Sequence, residues 1–198
     1  MSAIRLGTRA STLATTQSEM VAGLLRSEGL DVNLTTITTH GDTSTASLAA
    51  MGGIGVFASA IRAALLEGEA DIAVHSFKDL PTGRPLGLAI GAVPARADPR
   101  DALVARDGLT LHDLPQEASV GTGSPRRAAQ LLAVRPDLTI VDIRGNVDTR
   151  LGRVKGLGRY AKNGGKEDLD AVVLAASGLA RLGHSGAVTE FLLSLIHI

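Results

Sequence analysis

The sequence contains no cysteine, which excludes disulfide bonds, thiolate metal sites and cysteine nucleophiles within these 198 residues. Aromatic residues make up only 2% of the chain, so the 44% that is hydrophobic must build its core mainly from Ala, Val, Leu and Ile. Acidic and basic residues balance at 20 each, whereas a protein that binds nucleic acid through bulk charge carries a basic excess. An anion site in this chain must therefore come from local clustering of cations.

Long apolar runs are also missing. No stretch reaches the roughly 18 consecutive apolar residues of a membrane-spanning helix. The segment from Met1 to Arg5 has no basic region leading into an apolar run, so it does not resemble a signal peptide. We therefore expect a soluble cytoplasmic protein with neither a membrane nor a nucleic acid as partner.

The first half of the chain alternates short apolar strands with amphipathic helices. A helix is expected from the apolar spacing between Leu13 and Leu25, ending at Gly29, and another from Phe57 to Leu65, closed by Gly68. The strands are expected at residues 4–7, 32–37, 72–75 (buried) and 88–93 (buried). This order predicts an α/β domain over residues 1–94, with a parallel or mixed sheet.

A polar stretch with two prolines runs from Pro94 to Pro99. We expect residues 95–99 to be the crossover to a second α/β domain over residues 100–190. Its strands are predicted at 119–121, 139–143 and 171–174, and its helices at 126–134 and 147–154. The segment 155–168, rich in Gly and Lys, is interpreted as a solvated surface insertion.

Cations recur where predicted strands end, which is where ligands bind in open α/β sheets. Arginine grips carboxylates or phosphates through paired hydrogen bonds, so the pattern predicts a polyanionic ligand held at several points. The alternative is that each cation pairs with a surface acid or caps a helix. The seven cations are Arg9, Lys78, Arg126, Arg127, Arg144, Arg150 and Arg181, and the polar residues near them are Ser11, Ser76, Thr122, Ser124 and Asn146.

Asp79 is an acid placed among these bases. A carboxylate held ionised by cationic neighbours can stabilise positive charge on a substrate, or it can shuttle a proton. The alternative is an ordinary turn or helix-cap residue, because Asp79 stands before Leu80 and Pro81.

Two weaker signals are open to simpler interpretations. The glycine-rich turn at residues 52–55 could cradle a phosphate, but it lacks the rest of a P-loop. Among the five histidines only His75 lies in a motif, and no second ligand stands at metal spacing. We therefore expect a packed or hydrogen-bonded role for His75 and no metal site.

Six blocks of the sequence, taken in order, resemble the hydroxymethylbilane synthase (porphobilinogen deaminase) family. They extend from about residue 4 to about residue 190 and include Val74-His75-Ser76-Phe77-Lys78-Asp79-Leu80-Pro81. The other blocks are residues 9–14 with Gln17, residues 39–42, residues 121–127, residues 143–151 and residues 175–183.

The resemblance implies a transferase that condenses four porphobilinogen molecules head to tail into hydroxymethylbilane, with release of ammonia, in tetrapyrrole (heme and chlorophyll) biosynthesis. It implies that Asp79 stabilises cationic intermediates at the pyrrole nitrogens. It also implies that Lys78 and the arginines bind the carboxylates of substrate and of a dipyrromethane cofactor, assisted by the hydroxyl groups. The implied fold is two periplasmic-binding-protein-like (type II) α/β domains with mixed sheets, in a monomer, plus a third α+β domain.

The sequence departs from the family in several places. The family attaches its dipyrromethane to a cysteine of the third domain, and neither that cysteine nor that domain is found here, so we expect a C-terminally truncated chain that is inactive alone. Residues 191–198 match nothing expected and are interpreted as a non-native tail. Ile54 stands where many members carry lysine, and Thr12 replaces a frequent proline.

A second hypothesis is a non-catalytic anion-binding module, because the implied fold is shared with solute-binding proteins. A nucleic-acid binder is disfavoured, since the chain lacks both stacking aromatics and a basic excess.

Overall fold

The computed structural model of the chain describes residues 2–37, 58–83 and 85–192. Four features singled out in the sequence lie outside these ranges: the 39–42 block, the glycine turn at 52–55 with Ile54, Phe57, and residues 193–198 of the expected tail. The chain separates into two compact units, Met1–Pro94 and Ala95–Ile198. Each unit is described by itself.

In the first unit, three strands form a parallel sheet in the order β2-β1-β3. The central strand β1 (Ile4–Arg9) pairs along its whole length with β2 (Val32–Ile37), and its middle pairs with β3 (Ile72–Ala73). The connecting helices are α1 (Thr12–Ser27) and α2 (Ser59–Leu66). The expected strand–helix alternation is thus confirmed for these elements.

Helix α1 packs on the sheet through small residues. Ser18 and Ala22 are its fully buried positions, and the Ser18 hydroxyl donates to Thr8 Oγ1 of β1 at 2.7 Å. Met20 and Leu24 belong to the apolar spacing between Leu13 and Leu25, yet these two side chains are 56% and 61% exposed. The buried contact is made instead by small side chains, which let the helix approach β1 closely.

Two strand predictions in this unit need correction. The expected buried strand at 72–75 is reduced to β3, an edge strand whose Ile72 is 36% exposed. Residues 88–93 form no strand, and Ile90 and Val93 are mostly exposed. A strand needs a paired neighbour, and within the described part of the chain no strand lies alongside residues 88–93.

The second unit contains a five-stranded mixed sheet in the order β6-β5-β7-β4-β8. Strands β5 (Ser119–Gly121), β6 (Thr139–Val141) and β7 (Ala171–Ala175) run parallel, whereas β4 (Asp101–Ala105) is antiparallel to both β7 and β8 (Glu190–Leu192). The expectation of an α/β fold with mixed sheets is confirmed.

Both faces of the second sheet are covered, so its two central strands are buried on each side. Alternate residues of β4 and β7 contribute to separate clusters: Val104 and Val172 belong to one, and Leu103 and Val173 to the other. The helices are α3 (Pro125–Val134), α4 (Val147–Leu151) and α5 (Ala176–Arg181).

Helix α4 and strand β6 are shorter than expected. Strand β6 stops at Val141 because its partner β5 ends at Gly121. Helix α4 ends at Leu151, and Val154 is instead extended and bridges to Leu169. The limits of both elements are therefore set by partners distant in sequence.

The segment 155–168 is attached to the domain more firmly than a solvated insertion would be. Leu157 and Tyr160 pack against the buried cluster around Leu151, and the Tyr160 ring meets His184 edge-on at 5.1 Å. The backbone N–H of Lys155 donates to Leu169 O at 3.0 Å. Most residues of the segment are exposed, as expected for a solvated surface insertion, whereas Leu157 and Tyr160 attach its first part to the domain. In the described ranges, no helix has the length and apolar character to cross a membrane.

Candidate functional site

The first unit collects its candidate residues at one edge of the parallel sheet, because the carboxyl ends of parallel strands lie together. Arg9 ends β1, and Ser11 follows it as the N-cap of α1, where its hydroxyl accepts from Ala14 N–H at 3.4 Å. Ser76, Lys78 and Asp79 follow β3 at the same edge. Ser11 thus has a structural capping role besides any contact with a ligand.

Asp79 ends a short 3₁₀ turn, Phe77–Asp79, which is held by hydrogen bonds through Ser76 to helix α1. The Asp79 N–H donates to Ser76 O at 2.9 Å, and the Ser76 hydroxyl donates to Gln17 Oε1 of α1 at 3.1 Å. Within the described part of the chain the side chains of Lys78 and Asp79 make no hydrogen bond or ion pair with each other or with other residues. Their charged groups are therefore available to a ligand.

His75 lies beside this turn and is half-buried, and its buried Nε2 has no hydrogen-bond partner among the residues that the structure describes. Burial lowers the pKa of His75, the Asp79 carboxylate opposes that shift, and the nearby Arg9 and Arg62 reinforce it. These interactions place His75 within electrostatic reach of Asp79 and of two cations. The lowered pKa favours the neutral form of the ring.

In the second unit, the loops after β5 and β6 touch each other. Thr122 N–H donates to Val141 O at 3.0 Å, and a side chain at Gly123 would place its Cβ 2.7 Å from Ile143 O. Thr122 is buried, and its Oγ1 accepts from Ser124 N–H at 3.2 Å. These contacts bring the polar residues after the two strands onto one surface.

Arg126 and Arg127 share one buried carboxylate. Arg127 Nη2 donates to Asp101 Oδ1 at 2.7 Å, and Arg126 Nη2 donates to Asp101 Oδ2 at 3.3 Å. Ser124 caps this helix, α3, by accepting from Arg127 N–H at 3.4 Å. The alternative interpretation, in which an arginine pairs with an acid, thus holds in part for both residues. The buried Nε of Arg127 nevertheless has no hydrogen-bond partner in the described part of the chain.

Arg150 faces two other cations. Its pKa is lowered by burial and by repulsion from Arg127 and Arg144, and Asp142 only partly offsets these effects. Arg150 Nε donates to Gly145 O at 2.8 Å, which ties the side chain to the loop after β6. Arg127, Arg144 and Arg150 all follow strands β5 and β6 at the carboxyl edge of this sheet, and the first two act electrostatically on the third.

The remaining candidates are less closely joined to this cluster. The Asn146 side chain caps α4, with its Oδ1 accepting from Thr149 N–H at 2.8 Å, so its polar group already has a structural partner. Arg181 ends α5 and is half-buried. It makes no hydrogen bond or ion pair with any residue that the structure describes.

Two residues close to the candidates were not picked out as functional from the sequence. Asp101 lies at the carboxyl edge because β4 runs antiparallel, pairing Asp101 with Ala175 at the end of β7. Only the strand direction could have revealed this position. Gln17 was noted in a motif, and its contact with Ser76 links helix α1 to the Asp79 turn.

A comparison with protein families identifies the chain. The family described as "Porphobilinogen deaminase, dipyromethane cofactor binding domain" matches residues 4–197. The chain belongs to the porphobilinogen deaminase family. The resemblance seen in the sequence is therefore confirmed.

Curated relatives agree with this assignment. The chain is 60% identical over 190 residues to "Porphobilinogen deaminase" of Leifsonia xyli subsp. xyli, covering 96% of this chain and 55% of the relative. It is 59% identical over 197 residues to the protein of the same name from Micrococcus luteus, covering 96% of this chain and 52% of the relative. The chain thus spans about half the length of the curated relatives it matches.

A solved structure supports the fold. A periplasmic substrate-binding protein of an ABC transporter from Coxiella burnetii matches with a TM-score of 0.51 and 17% identity, covering 96% of this chain and 79% of that one. This similarity shows a periplasmic-binding-protein-like α/β architecture.

The family implies a dipyrromethane cofactor, and the residues fit it only in part. The buried Nε of Arg127, which has no hydrogen-bond partner among the described residues, and the mutual repulsion of Arg144 and Arg150 suit the carboxylates of a dipyrrole. The thioether link needs a cysteine, and these 198 residues contain none. A cysteine outside them would have to provide the link.

Proposed function

We propose that this chain supplies the catalytic carboxylate and the carboxylate-binding arginines of a hydroxymethylbilane synthase. Such an enzyme condenses four porphobilinogen molecules head to tail and releases ammonia at each step. The observation that carries the proposal is the position of Arg127, Arg144 and Arg150 beyond the carboxyl ends of β5 and β6, where the other two arginines act electrostatically on Arg150. Membership of the porphobilinogen deaminase family supports the reaction.

The arginine cluster explains how a growing oligopyrrole is held. Each porphobilinogen carries an acetate and a propionate, so the product accumulates carboxylates as it lengthens. A carboxylate placed against Arg150 offsets its repulsion with Arg127 and Arg144, and it accepts charge-assisted hydrogen bonds from the guanidinium groups. The hydroxyls of Thr122 and Ser124 lie at the same surface.

Asp79 has the chemistry for the reacting centre. Loss of ammonia leaves positive charge on the pyrrole methylene unit, and an ionised carboxylate stabilises that charge most when it has no competing partner. Asp79 makes no hydrogen bond through its side chain in the described structure, and its turn is held by Ser76 and Gln17. Lys78 and Arg9, at the same sheet edge, are assigned to the substrate carboxylates.

Binding tests the role of the arginines. We expect Arg150→Gln to weaken porphobilinogen binding to the 198-residue chain roughly tenfold or more, since a charge-assisted hydrogen bond contributes about 1.5–3 kcal/mol. Isothermal titration calorimetry measures this change. Arg159→Gln is the matched control, because Arg159 is exposed and, among the described residues, its guanidinium contacts Gly156 O and the Tyr160 ring. Equal affinities for the two variants would contradict the assignment.

Turnover tests the role of Asp79. We expect the chain alone to form no covalent adduct with porphobilinogen, because it has no thiol; mass spectrometry would detect one. Fused to the remaining C-terminal part of the Leifsonia xyli relative, it should release ammonia from porphobilinogen, and Asp79→Asn should abolish that release while leaving binding within a few-fold. Binding without turnover in the fusion with Asp79 intact would favour a non-catalytic anion-binding module.

The proposal includes a monomer that acts in the cytoplasm on a small-molecule substrate. Sedimentation equilibrium and cell fractionation test these two points separately. A stable dimer, or a protein recovered with membranes, would contradict them.

A further inference from the structure

His184 joins three segments of the second unit and has no part in the proposed chemistry. Its Nε2–H donates to Asp148 Oδ1 of helix α4 at 2.6 Å, since an ionised carboxylate can only accept. Its ring meets that of Tyr160 edge to face, with 5.1 Å between the centroids. The side chain of His184 is 21% exposed and that of Asp148 is 34% exposed, so this hydrogen bond is partly shielded from water.

The backbone of His184 is itself held in place. Its N–H donates to the carbonyl of Leu179 at 2.8 Å, and Leu179 is a fully buried residue of α5. Its carbonyl accepts from the N–H of Ala187 at 3.0 Å. Because these bonds restrain the backbone and Tyr160 restrains the ring, the imidazole is a fixed anchor for Asp148.

Helix α4, which carries Asp148, is too short to be stable by itself. It has five residues, whereas isolated helices shorter than about 12–15 residues are marginal in water. Leu151 at its end is fully buried, but Val147 at its start is only partly buried. The first turn is held by the Asn146 cap and by the hydrogen bond between Asp148 and His184.

Asp148 and Arg150 lie on opposite sides of this helix, because two residues along an α-helix correspond to a rotation of about 200°. Asp148 meets His184 on one side, and Arg150 Nε donates to Gly145 O of the loop after β6 on the other. We propose that His184 is a positioning residue for Arg150, which it orients toward a substrate carboxylate by holding the opposite side of helix α4 through Asp148. This inference rests on the proposed function of Arg150.

The placement of Arg150 can be followed in the 198-residue chain without any ligand. Its Nε–H resonance, assigned with Arg150→Gln, reports whether the hydrogen bond to Gly145 is kept. We expect His184→Ala to shift this resonance and to speed its exchange with water. His184→Gln retains an N–H donor of similar reach and should leave the resonance nearly unchanged. His112→Ala is the matched control, because the His112 side chain is 99% exposed and its Nδ1 lies 3.8 Å from Asp113 Oδ1.

Porphobilinogen binding, measured by calorimetry, gives the consequence for the site. We expect His184→Ala to weaken binding at least about threefold, and His184→Gln and His112→Ala to bind as the unmodified chain does. In the Arg150→Gln background His184→Ala should cause no further loss, since the residue through which it acts is already gone.

A second variant makes the test independent of whether His184→Ala folds. Asp148→Ala removes the same hydrogen bond from its acceptor side, so it should shift the Arg150 resonance and weaken binding in the same way. A two-dimensional amide spectrum shows which variants are folded.

The possible results are distinct. An unchanged Arg150 resonance in the folded variants, or a loss of affinity that recurs in full in the Arg150→Gln background, overturns the positioning of Arg150 by His184. If His184→Gln behaves as His184→Ala does, the hydrogen bond to Asp148 is not the operative contact, and the inference is again overturned. If porphobilinogen binds to none of the proteins, the proposed function fails, while the Arg150 resonance still decides whether His184 positions Arg150.

Discussion

Asp170 lies at the amino end of β7, on the edge of the second sheet away from the arginine cluster, and its carboxylate joins three elements. Oδ1 accepts from Lys155 Nζ at 2.8 Å and from Arg106 Nε at 2.9 Å, and Oδ2 accepts from both the N–H and the hydroxyl of Ser119 at 2.9 Å. Its side chain is only 11% exposed. We therefore predict that Asp170→Asn destabilises the second unit substantially.

The size of the effect follows from these contacts. Asn keeps the shape of the side chain, but it removes the charge from two ion pairs and turns an amide NH₂ toward at least one donor. Breaking a buried pair costs about 3–5 kcal/mol. Because Lys155 and Arg106 are partly exposed and recover hydration, the lower end applies, about 3 kcal/mol in the free energy of unfolding.

Urea unfolding followed by tyrosine fluorescence measures this loss. The chain has one tyrosine, Tyr160, and no tryptophan, so the signal reports on the second unit. The control is Asp168→Asn, two residues earlier, whose carboxylate pairs with Arg153 at 2.6 Å but is 43% exposed. We expect that variant to lose at most about 1 kcal/mol. Equal losses for Asp168→Asn and Asp170→Asn would refute the reasoning, because burial would then not decide the effect.

The same carboxylate predicts how stability depends on pH. Burial alone would raise the pKa of Asp170, but hydrogen bonds from Lys155, Ser119 and Arg106 outweigh it and lower the pKa well below the ordinary value. A lowered pKa in the folded state contributes stability above the unfolded value of about 3.9, and that contribution is lost as the pH falls toward the folded value. The difference in stability between the unmodified chain and Asp170→Asn should therefore shrink below about pH 4.

Two further predictions concern other parts of the fold. The Asp71 carboxylate accepts three hydrogen bonds from the side chain and the backbone N–H of Arg5, and these bonds lower the pKa of Asp71 to about 2. The Asp71 carboxyl resonance should therefore titrate near that value. The contribution of this ion pair to stability should be lost as the pH falls from about 4 to about 2. Gly123→Ala should separate the loops after β5 and β6, because the new Cβ would lie 2.7 Å from Ile143 O. Calorimetry should show weaker porphobilinogen binding for that variant than for Gly186→Ala, where nothing lies within 4 Å of the added Cβ; equal affinities would contradict it.

Most of the helices and strands could be predicted because the residues that start and end them are adjacent in the sequence. The helix at 125–134 has Ser124 as its N-cap and Pro125 at its first position, and both features are visible in the sequence. Gly29 and Gly68 mark the chain just after the first two helices, and both adopt a positive φ. These signals require no knowledge of distant contacts.

The failures involve partners that are distant in sequence. An apolar run such as 88–93 has the composition of a strand, yet whether it forms one depends on a neighbouring strand. The limits of β6 and α4 follow from β5 and from the Val154–Leu169 bridge. Met20 and Leu24 fit a helical spacing, but the spacing cannot tell which part of an apolar stripe meets the sheet.

The sequence predicted the sheet edge at which the candidate residues lie. It did not predict which of these residues contact one another. Strand-end positions correctly brought the loop after β5 next to the loop after β6, because parallel strands align their carboxyl ends. The pairing of Arg126 and Arg127 with Asp101 could not be predicted, since it depends on the reversed direction of β4. The assignment of each residue to a ligand remains a prediction.

Asp101 also explains how several arginines can lie together before an anion arrives. Unopposed, the guanidinium groups of Arg127, Arg144 and Arg150 repel one another, which is one cause of the lowered pKa of Arg150. The Asp101 carboxylate offsets part of this repulsion by holding Arg127 at 2.7 Å, but among the described residues Arg127 Nε has no hydrogen-bond partner and Asp101 forms no ion pair with Arg150. We expect an incoming carboxylate to lie beside Arg150, where Asp142 only partly offsets the repulsion from Arg127 and Arg144. Asp101 thus holds Arg127 in place, and we expect Arg127, Arg144 and Arg150 still to attract an anion.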